Sequence, residues 1–185
     1  MPALIIVVSL ASVAVIFTVT ARRLVRLGVE GIGRLPVPAP LFYVGKVALA
    51  TPVVVLGLAA AGDLLGGDAP PSLRGWSAAL LALMGALTTV LAFVHLGPAT
   101  RSGLPREETT LQTGGIYAVS RNPMYLGAGL LHLGAVLYAP GVVPVGAMVV
   151  AALIHHRIVL VEERDLHRRF GAAYDAYRAR VRRYV

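Results

Sequence analysis

The sequence has no cysteine among its 185 residues. This absence excludes a disulfide framework, a thiolate nucleophile and any zinc or iron–sulfur site built on cysteine. Charged side chains are also scarce, at 14% of the chain, and aromatic residues make up only 6%. Soluble domains carry about 25% charged residues, so a chain this poor in charge is expected to lie in lipid.

Long apolar runs are what the sequence has instead. Hydrophobic residues make up 57% of it, and the mean hydropathy is +0.74. A hydrocarbon core about 30 Å thick needs about 20 apolar residues to be crossed by a helix. Such spans are predicted at about residues 3–20, 41–61, 76–96, 122–138 and 142–161. We therefore expect an all-α integral membrane protein with five transmembrane helices, forming a single domain over residues 1–185.

The fourth span is short, and only "APGVVP" separates it from the fifth. Pro140, Gly141 and Pro144 break helices, so these two spans are expected to form an antiparallel hairpin. In the tail, residues 162–185, apolar side chains recur at helical spacing at Leu166, Phe170, Tyr174, Tyr177 and Val181. The tail is therefore predicted to form an amphipathic cytoplasmic helix that lies on the interface or caps the bundle.

Basic residues fall almost entirely on one side of the predicted spans. Sixteen of the seventeen, all but Arg74, flank the same ends of the helices. The positive-inside rule then places the N-terminus outside and the C-terminus in the cytoplasm. The arginine-dominated composition is typical of a GC-rich bacterial genome, hence of an inner membrane. The net charge of +8 does not indicate nucleic acid, because the basic residues flank apolar spans without interleaved aromatics.

Polar residues that could carry chemistry collect at one membrane level. Arg121 and Asn122 open the fourth span, and Arg157, Glu162 and Glu163 close the fifth. A hairpin would bring two arginines, two carboxylates and a tyrosine together at the cytoplasmic mouth of the helix pair. The alternative is ordinary: arginines snorkel to the interface, and adjacent glutamates open a solvated stretch of helix.

Pro123 favours a helix start, since proline at the first helical position costs no hydrogen bond. Asn122 before it could cap the helix with its side-chain oxygen, and a helix N-terminus favours an anion such as a carboxylate. Gly127 and Gly129 would let another backbone or a flat ligand approach closely. Simple helix packing is the alternative interpretation of both glycines.

Histidines at positions 95, 132, 155 and 156 raise the question of a metal. No H-E-x-x-H motif appears, and no pair has a carboxylate at ligand spacing on one helix. No metal site is therefore predicted. His132 lies seven residues after Tyr125, hence on the same helix face, and could border a pocket there.

Two segments together carry a family resemblance. The first is "TGGIYAVSRNPMYLG", and the second, after the apolar hairpin, is "EERDLHRRFGAAYDAY". They resemble the integral-membrane isoprenylcysteine carboxyl methyltransferases and phospholipid methyltransferases, whose pattern reads roughly G-x-Y-x-x-x-R-H-P-x-Y-x-G, hairpin, E-E, F-G-x-x-Y-x-x-Y. The resemblance covers about Thr113–Tyr177, over a third of the chain. The first three spans match only as generic hydrophobic helices.

This resemblance implies a methyltransferase that binds S-adenosylmethionine with its last two helices and tail, without a Rossmann-type fold. It implies catalytic roles for Arg121 and Glu162. The cofactor-binding residues implied are Gly115, Tyr117, Arg121, Asn122, Pro123, Tyr125, Leu126, Gly127, His132, Arg157, Glu162 and Glu163. Asn122 stands where many members carry histidine, and asparagine cannot shuttle a proton near neutral pH. Arg157 is one residue out of step with the arginine that precedes the family's Glu pair.

The methyl acceptor implied is lipophilic and enters from the bilayer, as an isoprenylcysteine-type carboxylate, an isoprenoid or a membrane lipid such as a phospholipid amine. A carboxylate needs no general base, whereas an ammonium must first lose a proton, for which Glu162 or Glu163 is the candidate base. Two other functions stay open: an NADPH-dependent reductase related to the membrane sterol reductases, and a non-enzymatic small membrane protein. The sequence indicates no oligomeric state.

Overall fold

The computed structural model describes residues 1–28, 33–66, 72–97, 103–104 and 110–185. Within these ranges the chain forms six α-helices, at Pro2–Arg26 (α1), Ala39–Leu65 (α2), Leu73–Leu96 (α3), Pro123–Tyr138 (α4), Val142–Phe170 (α5) and Ala172–Arg180 (α6). A short 3₁₀ helix at Gly115–Ala118 precedes α4. The described residues contain no β-strand, which confirms the predicted all-α architecture. Arg101 and Arg106, counted in the charge asymmetry, lie outside the described residues.

Four helices, α1, α2, α3 and α5, are long and apolar enough to cross a membrane. The fifth, α4, has 16 residues and spans about 24 Å at 1.5 Å per residue, against a hydrocarbon core of about 30 Å. It packs most extensively on α3 and also contacts α2 and α5. Five apolar helices therefore form the bundle, as predicted, with α4 as the short member of the α4–α5 hairpin.

The tail departs from the prediction in where its helices begin and end. The fifth span was expected to end at residue 161, but α5 continues to Phe170, so the Glu162–Glu163 pair lies inside a helix. The break comes at Gly171, whose φ of +48° is a left-handed conformation that glycine adopts without strain. The short helix α6 follows, with Tyr174 and Tyr177 buried. The expected single tail helix is thus two segments, and the second caps the bundle.

Glycines bring α4 close to α3. A Cβ added at Gly127 would lie 2.8 Å from the carbonyl oxygen of Gly85, and one added at Gly85 would lie 2.7 Å from the carbonyl oxygen of Gly127. The two backbones therefore touch, as is typical of small-residue contacts between membrane helices. A Cβ at Gly129 would meet nothing within 4 Å. The packing interpretation therefore holds for Gly127.

This difference predicts opposite effects of two alanine substitutions on one helix. Gly127→Ala is expected to lower the free energy of unfolding by about 1–3 kcal/mol, the usual cost of inserting a methyl group into a packed contact. Gly129→Ala is expected to raise it by about 0.5–1 kcal/mol, because alanine loses less backbone freedom than glycine in a helix. Thermal unfolding of both variants in one detergent checks the pair. Equal stabilities would contradict the α3–α4 contact.

The loops at the α4 start are held to each other and to α5. Arg34 and Leu104 exchange two backbone hydrogen bonds of 2.9 Å, which join the α1–α2 connection to the α3–α4 connection. Asp165 of α5 is buried and accepts hydrogen bonds from Arg34 at 3.2 Å, Arg168 at 2.9 Å and Arg169 at 2.7 Å. The contact with Arg169 is an i,i+4 ion pair on α5. This buried carboxylate fixes the first loop against the last membrane helix.

Candidate functional site

A cavity of about 170 Å³ lies where α4 begins and α5 leaves the bundle. Its walls come from the end of α3, residues 103–104 and 110–112, the start of α4, the last turns of α5, and α6. Seven of the residues predicted from the sequence line it, and they are Tyr117, Arg121, Asn122, Pro123, Tyr125, Glu162 and Glu163. The α4–α5 hairpin brings these residues together from segments about 40 positions apart in the chain.

The start of α4 is built as predicted in one respect and not in another. Pro123 is the first helical residue and Asn122 is the residue before it. The expected side-chain cap is absent, however, because no backbone N–H of α4 donates to the Asn122 side chain. The Asn122 amide instead donates to the carbonyl oxygen of Arg183 at 3.0 Å. The prediction that Asn122 caps the helix is therefore wrong, since the chain's last residues offer its amide another partner.

Glu163 is held by two arginines. Arg121 donates to Oε1 at 2.7 Å, and Arg183 donates to both oxygens, at 3.0 and 2.8 Å. The Arg121 and Glu163 side chains are only 7% and 11% exposed, so their charges are compensated away from water. The Nε and Nη1 groups of Arg121 are buried without a hydrogen-bond partner in the described part of the chain. Arg121 therefore keeps donor capacity after its pairing with Glu163.

Glu162 has a different environment from its neighbour. The Tyr125 hydroxyl donates to it at 3.5 Å, a long hydrogen bond, and no arginine or lysine forms an ion pair with it among the described residues. The Tyr125 ring also packs at 5.1 Å from the ring of His155. Glu162 is thus the cavity carboxylate whose charge is not already neutralised by a salt bridge.

Two tyrosines close the other side of the cavity. The Tyr177 hydroxyl of α6 donates to the backbone carbonyl of Tyr117 at 2.6 Å, and this bond is buried. Burial raises the pKa of Tyr177 to about 12 and raises the pKa of Tyr117 above its usual value. Both hydroxyls therefore stay protonated at neutral pH, and their ring faces are available to a cation. From the sequence, the α6 tyrosines were expected on the apolar face of a tail helix and matched the family's F-G-x-x-Y-x-x-Y pattern, without an assigned role in the site.

A second cavity, of about 690 Å³, lies between α2, α4 and α5. Predicted site residues Leu126, His132 and Arg157 line this cavity and not the first. His132 shares the α4 face of Tyr125 there, as its spacing predicted. Tyr125 lines both cavities, so the two meet at its ring beside Glu162.

Two predicted residues lie away from both cavities. Gly115 has a φ of +59° and lies against the ring of His95, where any Cβ would overlap it. Gly127 faces α3, as described above. These glycines shape the motif segment through backbone conformation and packing, without lining either cavity.

The described residues fit the donor that the motifs imply, S-adenosylmethionine. That molecule carries a sulfonium and an ammonium as well as a carboxylate. An unneutralised carboxylate at Glu162 and the tyrosine faces match the cationic groups. The free N–H groups of Arg121 match the carboxylate.

Comparison with known proteins gives one family. The family model described as "Phospholipid methyltransferase" matches residues 73–173, from the first residue of α3 into α6. The matched region therefore includes the residues of α4 and α5 that line the two cavities. No curated protein and no solved structure matches the chain.

Proposed function

Because the chain belongs to the phospholipid methyltransferase family, we propose that it transfers a methyl group from S-adenosylmethionine to a lipophilic acceptor. The observation that carries this proposal is the meeting of two unlike cavities at Tyr125. One includes arginine and carboxylate side chains in its wall, and the other is almost entirely apolar and lies between membrane helices. A water-soluble donor and a lipid acceptor need such a pair of compartments with a common boundary.

When bound, S-adenosylmethionine would supply an electrophilic methyl group on its sulfonium. Arg121 would hold the donor carboxylate through its remaining N–H groups, and Glu162 with the tyrosine faces would lie toward the cationic groups. Holding both reactants in line is the main contribution that such an enzyme makes to an in-line displacement. The residues present here supply charge complementarity and position.

The two adjacent glutamates are suited to different tasks. Both oxygens of Glu163 already accept hydrogen bonds from Arg121 and Arg183, so they are occupied by protein groups. Glu162 has no such pairing in the described chain, lines the first cavity, and accepts a hydrogen bond from Tyr125, which lines both cavities. If the acceptor is an ammonium, Glu162 is therefore the base that takes its proton, and Glu163 positions Arg121.

The acceptor would enter the second cavity from the bilayer. Leu133 and Leu153 line this cavity and are 45% and 64% exposed on the bundle surface, so the cavity is open toward lipid. Arg157 lines it as well, and we assign that residue to the acceptor and not to the donor. We further propose, on the charge asymmetry, that the N-terminus lies outside and the C-terminus in the cytoplasm. The arginine-dominated composition supports a bacterial inner membrane.

Calorimetry on the detergent-solubilised protein tests the donor directly. S-adenosylhomocysteine is expected to bind with one site per chain, while NADPH, the cofactor of the alternative reductase function, gives no heat beyond dilution. Circular dichroism before and after titration establishes that the protein stays folded. Absence of S-adenosylhomocysteine binding by folded protein, or binding of NADPH in its place, would overturn the proposed function.

A further inference from the structure

The last five residues, 181–185, cross the start of α4 as an extended strap. The backbone N–H of Arg121 donates to the carbonyl of Arg182 at 3.0 Å. The carbonyl of Arg183 accepts from Asn122 at 3.0 Å and from the Ser120 hydroxyl at 3.4 Å. The strap is thus tied to the motif segment by backbone groups at consecutive positions.

Side chains hold the same strap to α5. Arg183 donates hydrogen bonds to both oxygens of Glu163, at 3.0 and 2.8 Å. Such a bidentate pair fixes the orientation of the arginine side chain as well as its distance from the carboxylate. The next residue, Tyr184, places its hydroxyl 3.0 Å from Nδ1 of His156. Anchored on both sides, Tyr184 has a defined position on the α5 face.

That position is on the wall of the second cavity, together with His156 and Arg157. These three residues form a polar rim on a cavity that is otherwise mostly apolar. Arg157 is exposed and forms no ion pair within the described residues, so the rim carries an uncompensated positive charge. Such a rim fits an anionic group attached to a hydrocarbon chain.

We propose that Tyr184, held by the strap, is an acceptor-positioning residue, and that with Arg157 it binds the anionic group of an amphiphile whose hydrocarbon lies between α4 and α5. This inference rests on the proposed function for the acceptor's role, but the binding itself does not depend on the donor. The sequence does not indicate that Tyr184 lies near the site, because Tyr184 is about 60 positions from the motif segment that the strap crosses.

Photocrosslinking in vesicles tests the binding. The full chain is reconstituted in phosphatidylcholine vesicles containing a diazirine-bearing phosphatidic acid, a diazirine-bearing fatty acid or a diazirine-bearing diacylglycerol, and adducts are mapped by mass spectrometry. At least one anionic probe is expected to label Tyr184 and Leu133, at least about fivefold more than the uncharged probe. Which anionic probe labels more distinguishes a phosphate from a carboxylate. In Arg157→Gln the preference for charge should disappear.

Strap variants test the positioning. Arg183→Ala is expected to reduce labelling of Tyr184 severalfold while labelling of Leu133 persists, and Arg182→Ala, whose exposed side chain holds nothing in the strap, should leave both unchanged. In the wild-type protein, label on Leu133 without label on Tyr184, label on neither residue, or no preference for the anionic probes would each overturn the inference. Tyr184→Phe should keep the wild-type affinity for S-adenosylhomocysteine within about twofold. Failure of the wild-type protein to bind that ligand would instead overturn the proposed function and leave the lipid result standing.

Discussion

Arg121→Lys is expected to lower the affinity for S-adenosylhomocysteine about 100-fold. Lysine can still neutralise Glu163, which Arg121 contacts at 2.7 Å. It lacks the additional N–H groups with which a guanidinium can bind a second anion at the same time. The Nε and Nη1 groups of Arg121 are the ones left without partners in the described structure. Two hydrogen bonds to a carboxylate at about 1.5 kcal/mol each amount to roughly this loss. Calorimetry measures it.

Arg183→Lys is the matched control, because Arg183 grips the same Glu163 but is 36% exposed. Its affinity for S-adenosylhomocysteine should fall less than about threefold. Lysine is preferred to alanine at position 121, since removing one partner of a buried ion pair costs about 3–5 kcal/mol of stability. Equal losses in the two lysine variants would show that Arg121 acts only through Glu163 and does not touch the donor.

With an ammonium acceptor, Glu162→Gln is expected to slow methyl transfer by about 10²- to 10⁴-fold, the range that a positioned acid–base group contributes. Glutamine keeps the size of Glu162 and its contact with the Tyr125 hydroxyl, but it removes the cavity carboxylate that has no ion pair in the described chain. Transfer of label from S-adenosylmethionine into extracted lipids gives the rate. Calorimetry with S-adenosylhomocysteine, performed in parallel, separates a loss of binding from a loss of rate.

Two neighbouring variants show whether this effect is specific. Tyr125→Phe removes a hydrogen bond of 3.5 Å and should cost less than about tenfold in rate, since so long a bond is weak. Glu163→Gln disrupts the pairing with both arginines and should lower the thermal unfolding temperature more than Glu162→Gln does. A folded Glu162→Gln protein with an unchanged rate would contradict the assignment of Glu162.

The helix breakers Pro140, Gly141 and Pro144 predicted the hairpin. Hydropathy predicted the five helices, because an uncharged run must satisfy its backbone hydrogen bonds internally in lipid. It could not predict where helices end. The last turns of α5, from Glu162 to Phe170, are polar and keep their helical hydrogen bonds beyond the apolar stretch. The helix ends at Gly171, and not where the apolar stretch ends.

The site was predictable where residues share a helix face and not elsewhere. Seven residues are about two turns, so His155 and Glu162 lie on one side of α5, and Tyr125 contacts both. Arg157 and Glu162 are five residues apart, about 140° around the helix, which is why Arg157 lines the other cavity. Nothing in local periodicity indicates that Arg183 returns to pair with Glu163. That contact depends on tertiary folding of the tail.

The shortness of α4 bears on the energy of reaching an acceptor. A helix of about 24 Å in a hydrocarbon core of about 30 Å starts or ends below the lipid headgroups. Its first residues, Pro123 to Tyr125, border the first cavity; on the proposed function, a recessed start of α4 would place the donor site at the depth of the upper acyl chains. Lifting a 16-carbon chain fully into water would cost about 13 kcal/mol at about 0.8 kcal/mol per methylene. On the proposed function, the short helix would bring the charged site down to the lipid, so that the acceptor would react without leaving the bilayer.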